Sequence, residues 1–104
     1  MDLADCIARQ IVWSRATFGP GKRTGGLLDH LRKELKEVER APDDLAEWAD
    51  LIILALDGAW RHGSSPAEVC AALEHKQAVN FARQWPDWRA SSEDVAIEHV
   101  RSVE

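Results

Sequence analysis

Residues 27–61 read LLDHLRKELKEVERAPDDLAEWADLIILALDGAWR, and this stretch decides the fold. Leu28, Leu31, Leu35 and Val38 recur at helical spacing, which predicts a helix over about Leu27–Arg40. Ala41-Pro42-Asp43 interrupts it. Proline suits the first turn of a helix and the acids beside it suit the positive N-terminal end, so a second helix is expected over about Asp43–Arg61. A connection this short makes the two an antiparallel hairpin. The run LIILAL, Leu51–Leu56, is apolar nearly all round, which predicts a helix covered on more than one side. Trp48 and Trp60 fall on that apolar side and are expected in the core.

The hairpin aligns four acids. Glu34-x-x-Glu37 lies on its first helix and Glu47-x-x-Asp50 on its second, and residues three apart share a helix face. With Pro42 at the turn, Glu37 and Glu47 are equally far from it, as are Glu34 and Asp50. The expected pairs are therefore Glu37 opposite Glu47 and Glu34 opposite Asp50. Two like charges at about 4 Å repel by roughly 4 kcal/mol at an intermediate dielectric. Such acids either splay into solvent or hold a cation, and all-carboxylate ligation suits Mg²⁺ or Mn²⁺ better than Zn²⁺. The plain alternative is a solvated acidic stripe in which Lys33, Lys36 and Arg40 pair with the acids and Glu47 caps its helix through Asp44. Against it stands Leu54, which shares the face of Glu47 and Asp50 and implies partial enclosure.

Working outward, Leu3, Ile7 and Ile11 predict a helix over about Asp2–Arg15. The loop TFGPGKRTGG, Thr17–Gly26, holds four glycines and a proline and is expected to be non-helical. His62-Gly63-Ser64-Ser65 ends the hairpin, and a fourth helix is expected from Pro66 to about Gln84, stopped by Trp85-Pro86. The tail is expected to hold one short helix from Ser92. The fold expected is all-α: a four-helix bundle with a short C-terminal helix, one domain over residues 1–104. A chain this short gives an all-round apolar helix little cover, so a homo-oligomer, dimer or tetramer, is expected.

Composition narrows the class. The net charge of −5 argues against a nucleic-acid partner but not against a nucleotide, because bound metal reverses the local sign. Cys6 and Cys70 are isolated, which fits a reduced, cytoplasmic protein. The longest apolar run is too short to span a bilayer, and no membrane partner is expected.

Other polar residues are candidates for holding a substrate. Lys76, Asn80 and Arg83 share one face of the fourth helix, where they either form a solvent-facing stripe or hold phosphate oxygens. The glycine loop is no Walker A motif: Ala16 stands where the first glycine is required, and Arg23 follows Gly21-Lys22 where Ser or Thr is required. Lys22 and Arg23 could still approach phosphate. Trp13, with Gln10 beside it, could stack on a base while Gln10 reads its edge, although a core place has equal weight. His30, one turn before Glu34, borders the acids and is either a substrate contact or a satisfied surface histidine.

ExxE on one helix followed by ExxD on the next resembles the MazG-like all-α nucleoside triphosphate pyrophosphohydrolases. More closely, WSRATFGPGKRTGGLLDHLRKELKEV, DLAEWADLIILALDGAWRHG and KQAVNFARQWPDW, with the tail EDVAIEHVR, resemble the dATP/dGTP diphosphohydrolases, a family with a phage member. The resemblance spans nearly the whole chain. It implies a Mg²⁺-dependent conversion of a purine dNTP to dNMP and pyrophosphate, with Mn²⁺ as a substitute. It implies Glu34, Glu37, Glu47 and Asp50 as metal ligands and Lys76, Asn80 and Arg83 as phosphate contacts. Glu37 or Glu34 would double as general base. Only nine residues separate Glu37 from Glu47, fewer than in many MazG-like proteins, but the mirrored spacing survives. Two other readings remain open: the same chemistry on a different or damaged nucleotide, and a non-catalytic helical dimerisation module.

Overall fold

The computed structural model describes residues 1–101. Four α-helices follow in order: α1 (Leu3–Phe18), α2 (Thr24–Arg40), α3 (Leu45–Arg61) and α4 (Pro66–Ala82). No strand occurs among the described residues. Two compact units divide the chain, Met1–Ala71 and the residues from Ala72 on, with α4 beginning in the first and ending in the second.

In the first unit α3 packs against both α1 and α2. The α2–α3 hairpin closes at both ends. At the turn, the Ala41 amide donates to the carbonyls of Glu37 and Val38, and Asp44 caps α3 by accepting from the Ala46 amide at 3.0 Å. At the open end, Thr24 Oγ1 lies 2.9 Å from His62 Nε2, and His62 Nδ1 lies 2.7 Å from the Gly58 carbonyl. A carbonyl only accepts, so Nδ1 carries the proton and Nε2 accepts from Thr24. The beginning of α2 is thereby tied to the end of α3, as an antiparallel pair requires.

Several local expectations are corrected. The loop is shorter than Thr17–Gly26: α1 runs on to Phe18, and Gly25 and Gly26 lie in the first turn of α2. The first turn tolerates glycine because its amides lack helical partners anyway. The turn between the helices rests on left-handed or extended-left backbone at Gly19 (φ 91°), Gly21 (φ 89°) and Arg23 (φ 48°), the last being the one non-glycine with positive φ among the described residues. The inner stripe of α2 is Leu27, Leu31, Glu34 and Val38, while Leu28 and Leu35 are exposed. Trp60 is buried as expected, but Trp48 is 43% exposed, its indole N–H donating to the Pro42 carbonyl at 2.8 Å.

The inner stripe of α3 is Glu47, Asp50, Leu54, Asp57 and Arg61, which is mostly charged. Its opposite side exposes Leu45 (79%) and Ile52 (57%) together with Trp48. LIILAL is thus covered on one side only among the described residues.

In the second unit, the short C-terminal helix is a single 3-10 turn, Trp88–Ala90, capped by Asp87, and not a helix from Ser92. Ser92 instead closes a turn: its hydroxyl accepts from the Asp94 amide and its carbonyl from the Val95 amide. A helix of about ten residues with Val95, Ile97 and Val100 in it has little intrinsic stability. The tail returns along the end of α4, where the Val100 amide donates to the Gln84 carbonyl at 2.7 Å and His99 sets its ring edge-on to Trp85. Among the described residues no helix is long and apolar enough to cross a membrane.

Candidate metal centre

Three of the four acids meet. One carboxylate oxygen from each of Glu34, Glu47 and Asp50 lies within 4.8 Å of the others. The helix geometry explains the choice. Glu34 lies on the inner stripe of α2 between Leu31 and Val38 and is only 8% exposed. Glu37, three residues on, is rotated by roughly 60° from it around the helix. It remains half-exposed and forms an ion pair with Arg40 at 3.1 Å. The mirrored pairing expected from Pro42 is therefore modified: Glu34 meets both acids of α3, and Glu37 stands outside the group.

The local lysines do not neutralise this group. Lys33 pairs with Asp29 at 3.4 Å, and Arg40 with Glu37. The capping role considered for Glu47 is filled by Asp44 alone. Consequently Glu47 holds its proton up to about 7, first because its carboxyl shares a hydrogen bond with Glu34. Lost hydration and the charges of Glu34, Glu37 and Asp44 push in the same direction. Glu34 Oε1 is buried with no hydrogen-bond partner. A buried carboxylate oxygen without a donor is costly, and a cation is the partner its chemistry lacks.

Glu34 and Asp50 form one wall of a cavity of about 190 Å³ between α1, α2 and α3. Gln10, Trp13, Phe18 and His30 line it together with Glu34 and Asp50. The aromatic rings form a chain of edge contacts, Trp13 to Phe18 at 5.5 Å and Phe18 to His30 at 6.2 Å. Gln10, Trp13 and His30, singled out on separate grounds, are thus brought beside the acids, and Trp13 is 54% exposed rather than in the core.

The loop cations differ from each other. Lys22 is exposed on the turn. Arg23 folds inward, its guanidinium donating to the Phe18 carbonyl and lying against Gly26. Lys76, Asn80 and Arg83 lie in the second unit, where Arg83 donates to the Asn80 side-chain oxygen at 3.2 Å. The His99 imidazole there is held below the usual histidine range by lost hydration and then by Arg83 and Arg101.

A buried polar network adjoins the cavity, whose lining Asp57 and Gln10 both reach, and the sequence reading missed it. Asp57 is 2% exposed and accepts from Ser14 Oγ and Trp60 Nε1, both at 2.8 Å, and from Gln10 Nε2 at 3.5 Å. Arg61 donates to Ser14 Oγ at 2.9 Å and to the carbonyls of Gly19 (3.0 Å) and Gly21 (2.9 Å), and stacks over the Trp60 ring. The available signal was an aspartate and an arginine, four residues apart, following the apolar run LIILAL.

Comparison with known proteins identifies the family and the fold. The dATP/dGTP pyrophosphohydrolase family matches residues 6–103. Among solved structures, the chain is similar to the cyanophage S-2L MazG-like pyrophosphohydrolase bound to dGDP and three catalytic Mn²⁺ ions per active site. The two are 31% identical over 97% of this chain and 99% of that one, with a TM-score of 0.75. No curated protein matches.

Proposed function

The chain belongs to the dATP/dGTP pyrophosphohydrolase family and is a hydrolase of nucleotide anhydride bonds, and from that premise we propose that it converts a purine dNTP to dNMP and pyrophosphate with Mg²⁺ or Mn²⁺. The observation that carries this is the uncompensated meeting of Glu34, Glu47 and Asp50, two of which, Glu34 and Asp50, line an aromatic cavity. The dGDP and Mn²⁺ held by the cyanophage enzyme support it.

The site's chemistry fits a hard divalent cation. Its donors are carboxylate oxygens alone, and Glu34 Oε1 is buried and unpartnered. Glu34, Glu47 and Asp50 would hold the ion, with Glu37 reaching it by exchanging its Arg40 contact. When bound, such a cation supplies the positive charge that opens phosphorus to water and steadies leaving pyrophosphate. The chain's own groups do the rest. Trp13 and His30 would flank the base and Gln10 would touch its edge. Lys76, Asn80 and Arg83 would hold phosphate oxygens, with Lys22 and Arg23 as further cations. Glu37, half-exposed and outside the triad, is the better candidate for taking the water proton, with Glu34 the second choice. The exposed apolar side of α3 supports a homo-oligomer, dimer or tetramer, that covers Leu45, Trp48 and Ile52. Free thiols at Cys6 and Cys70 suit a cytoplasmic setting.

The test is turnover of each dNTP with Mg²⁺ and with Mn²⁺, followed by product identification. dNMP and pyrophosphate from dATP or dGTP is the expected result. Release of orthophosphate and dNDP contradicts the cleavage position, and turnover of pyrimidine nucleotides alone contradicts the purine assignment.

A further inference from the structure

Every hydrogen-bonding role in the network beside the cavity is determined. Trp60 Nε1 can only donate, and it donates to Asp57 Oδ1. Arg61 can only donate, so Ser14 Oγ accepts from it and spends its single proton on Asp57 Oδ2. Asp57 is surrounded by donors and is therefore an acceptor at both oxygens. Gln10 reaches Asp57 Oδ2 as well, at 3.5 Å. Facing an acceptor, its amide must turn the NH₂ group toward Asp57 and leave its carbonyl oxygen for the cavity. A glutamine left free could present either end.

We propose that Asp57 is a specificity-positioning residue: it locks the Gln10 amide so that the cavity offers a hydrogen-bond acceptor and selects nucleobases with an exocyclic amino group. This rests on the reading of the cavity as the base site. The amino group sits at C6 in adenine and at C2 in guanine, so a fixed acceptor meets the two in different orientations of the ring, and discrimination in one of the two pairs is enough. Asp57 reaches the cavity lining but is only 2% exposed, with both oxygens taken up by Trp60, Ser14 and Gln10, so it acts through Gln10, whereas the cation group lies at Glu34, Glu47 and Asp50. Its removal therefore alters which base is accepted more than it alters the hydrolytic step.

The experiment compares kcat/KM for dGTP against dITP, which lacks the 2-amino group, and for dATP against the 6-unsubstituted purine deoxynucleotide. The full-length protein is expected to discriminate by about tenfold or more in at least one pair, the scale of one buried hydrogen bond, and mainly through KM. In Asp57→Asn the amide oxygen stays with Trp60 and the NH₂ faces Gln10, which flips and offers a donor to the cavity. That discrimination should then be lost or inverted. Adding Gln10→Glu to Asp57→Asn restores an acceptor toward the cavity and should restore the preference, which a purely structural role for Asp57 does not predict. Should Asp57→Asn fail to fold, Gln10→Met gives the same answer, since it removes the acceptor and leaves the Trp60, Ser14 and Arg61 contacts of the network in place. Discrimination unchanged to within about twofold in a folded Asp57→Asn or in Gln10→Met overturns the proposal. If the wild type turns over dATP or dGTP without discriminating in either pair, this inference fails and the hydrolase reading stands. Absence of turnover with any nucleotide fails both.

Discussion

At the scale of the residue, Glu47 reports on the acid group most sensitively. Its carboxyl titrates near 7 in the folded protein against an ordinary value of 4.5, chiefly because it shares a hydrogen bond with Glu34. Below 4.5 both the folded and the unfolded chain are protonated there. As pH rises from 4.5 toward 7 the unfolded chain gives up this proton while the folded chain keeps it. The unfolded state then binds fewer protons, so stability falls through this window and levels off above it. Thermal melts of metal-free protein should show that decline, and the difference between wild type and Glu47→Gln isolates it. Saturating Mg²⁺ should flatten the curve by replacing the proton as counterion. A metal-free melting temperature that rises relative to Glu47→Gln across the same window contradicts the geometry of the group.

At the scale of the element, α3 is organised oppositely to a simple amphipathic helix. Its inner stripe carries Glu47, Asp50, Asp57 and Arg61 around Leu54, and its outer side carries Leu45, Trp48 and Ile52. The all-helical fold and the hairpin were legible because Pro42 and the helical spacing act locally. The acidic group was legible because mirrored spacing about a short turn brings distant residues to one height. The choice of Glu34 over Glu37 was not legible, since it depends on how α2 rotates against α3. Apolar counting assigned Leu28 and Leu35 to the inside, whereas Leu27 and Glu34 take that face. A pattern rule assumes that only apolar residues are buried, and an ion site or polar network breaks that assumption. Arg61 illustrates the cost. It ties α3 to Ser14 of α1 and to the Gly19 and Gly21 carbonyls. Arg61→Met should destabilise the fold by about 3 kcal/mol, since it orphans the buried and part-buried carbonyl and hydroxyl acceptors that Arg61 satisfies in Ser14, Gly19 and Gly21. Urea unfolding measures this, and a loss below about 1 kcal/mol is incompatible with the latch as described.

At the scale of the whole molecule, the described residues bury few large side chains. Ile7 and Ser14 are the two with no exposure, and the apolar core is limited to Ile7, Val38, Leu54, Trp60 and Val69. So thin a core beside an exposed apolar helix side is the basis of the proposed self-association. Ile52→Glu should shift the sedimentation profile toward monomer and make stability depend on protein concentration. An unchanged profile contradicts the proposal that this side of α3 is a self-association surface.

The central claim, that Glu34, Glu47 and Asp50 form the cation site of this hydrolase, is tested most directly by Mn²⁺ titration of the purified protein. Electron paramagnetic resonance reads the free ion, and calorimetry in two buffers reads released protons. At pH 6 the wild type should bind Mn²⁺ with proton release, because Glu47 must lose its proton to become a ligand. Glu34→Gln should weaken binding at least about tenfold and abolish turnover, and Glu37→Gln should weaken binding less while still lowering turnover. Mn²⁺ binding and dNTP turnover that both persist in Glu34→Gln would contradict it.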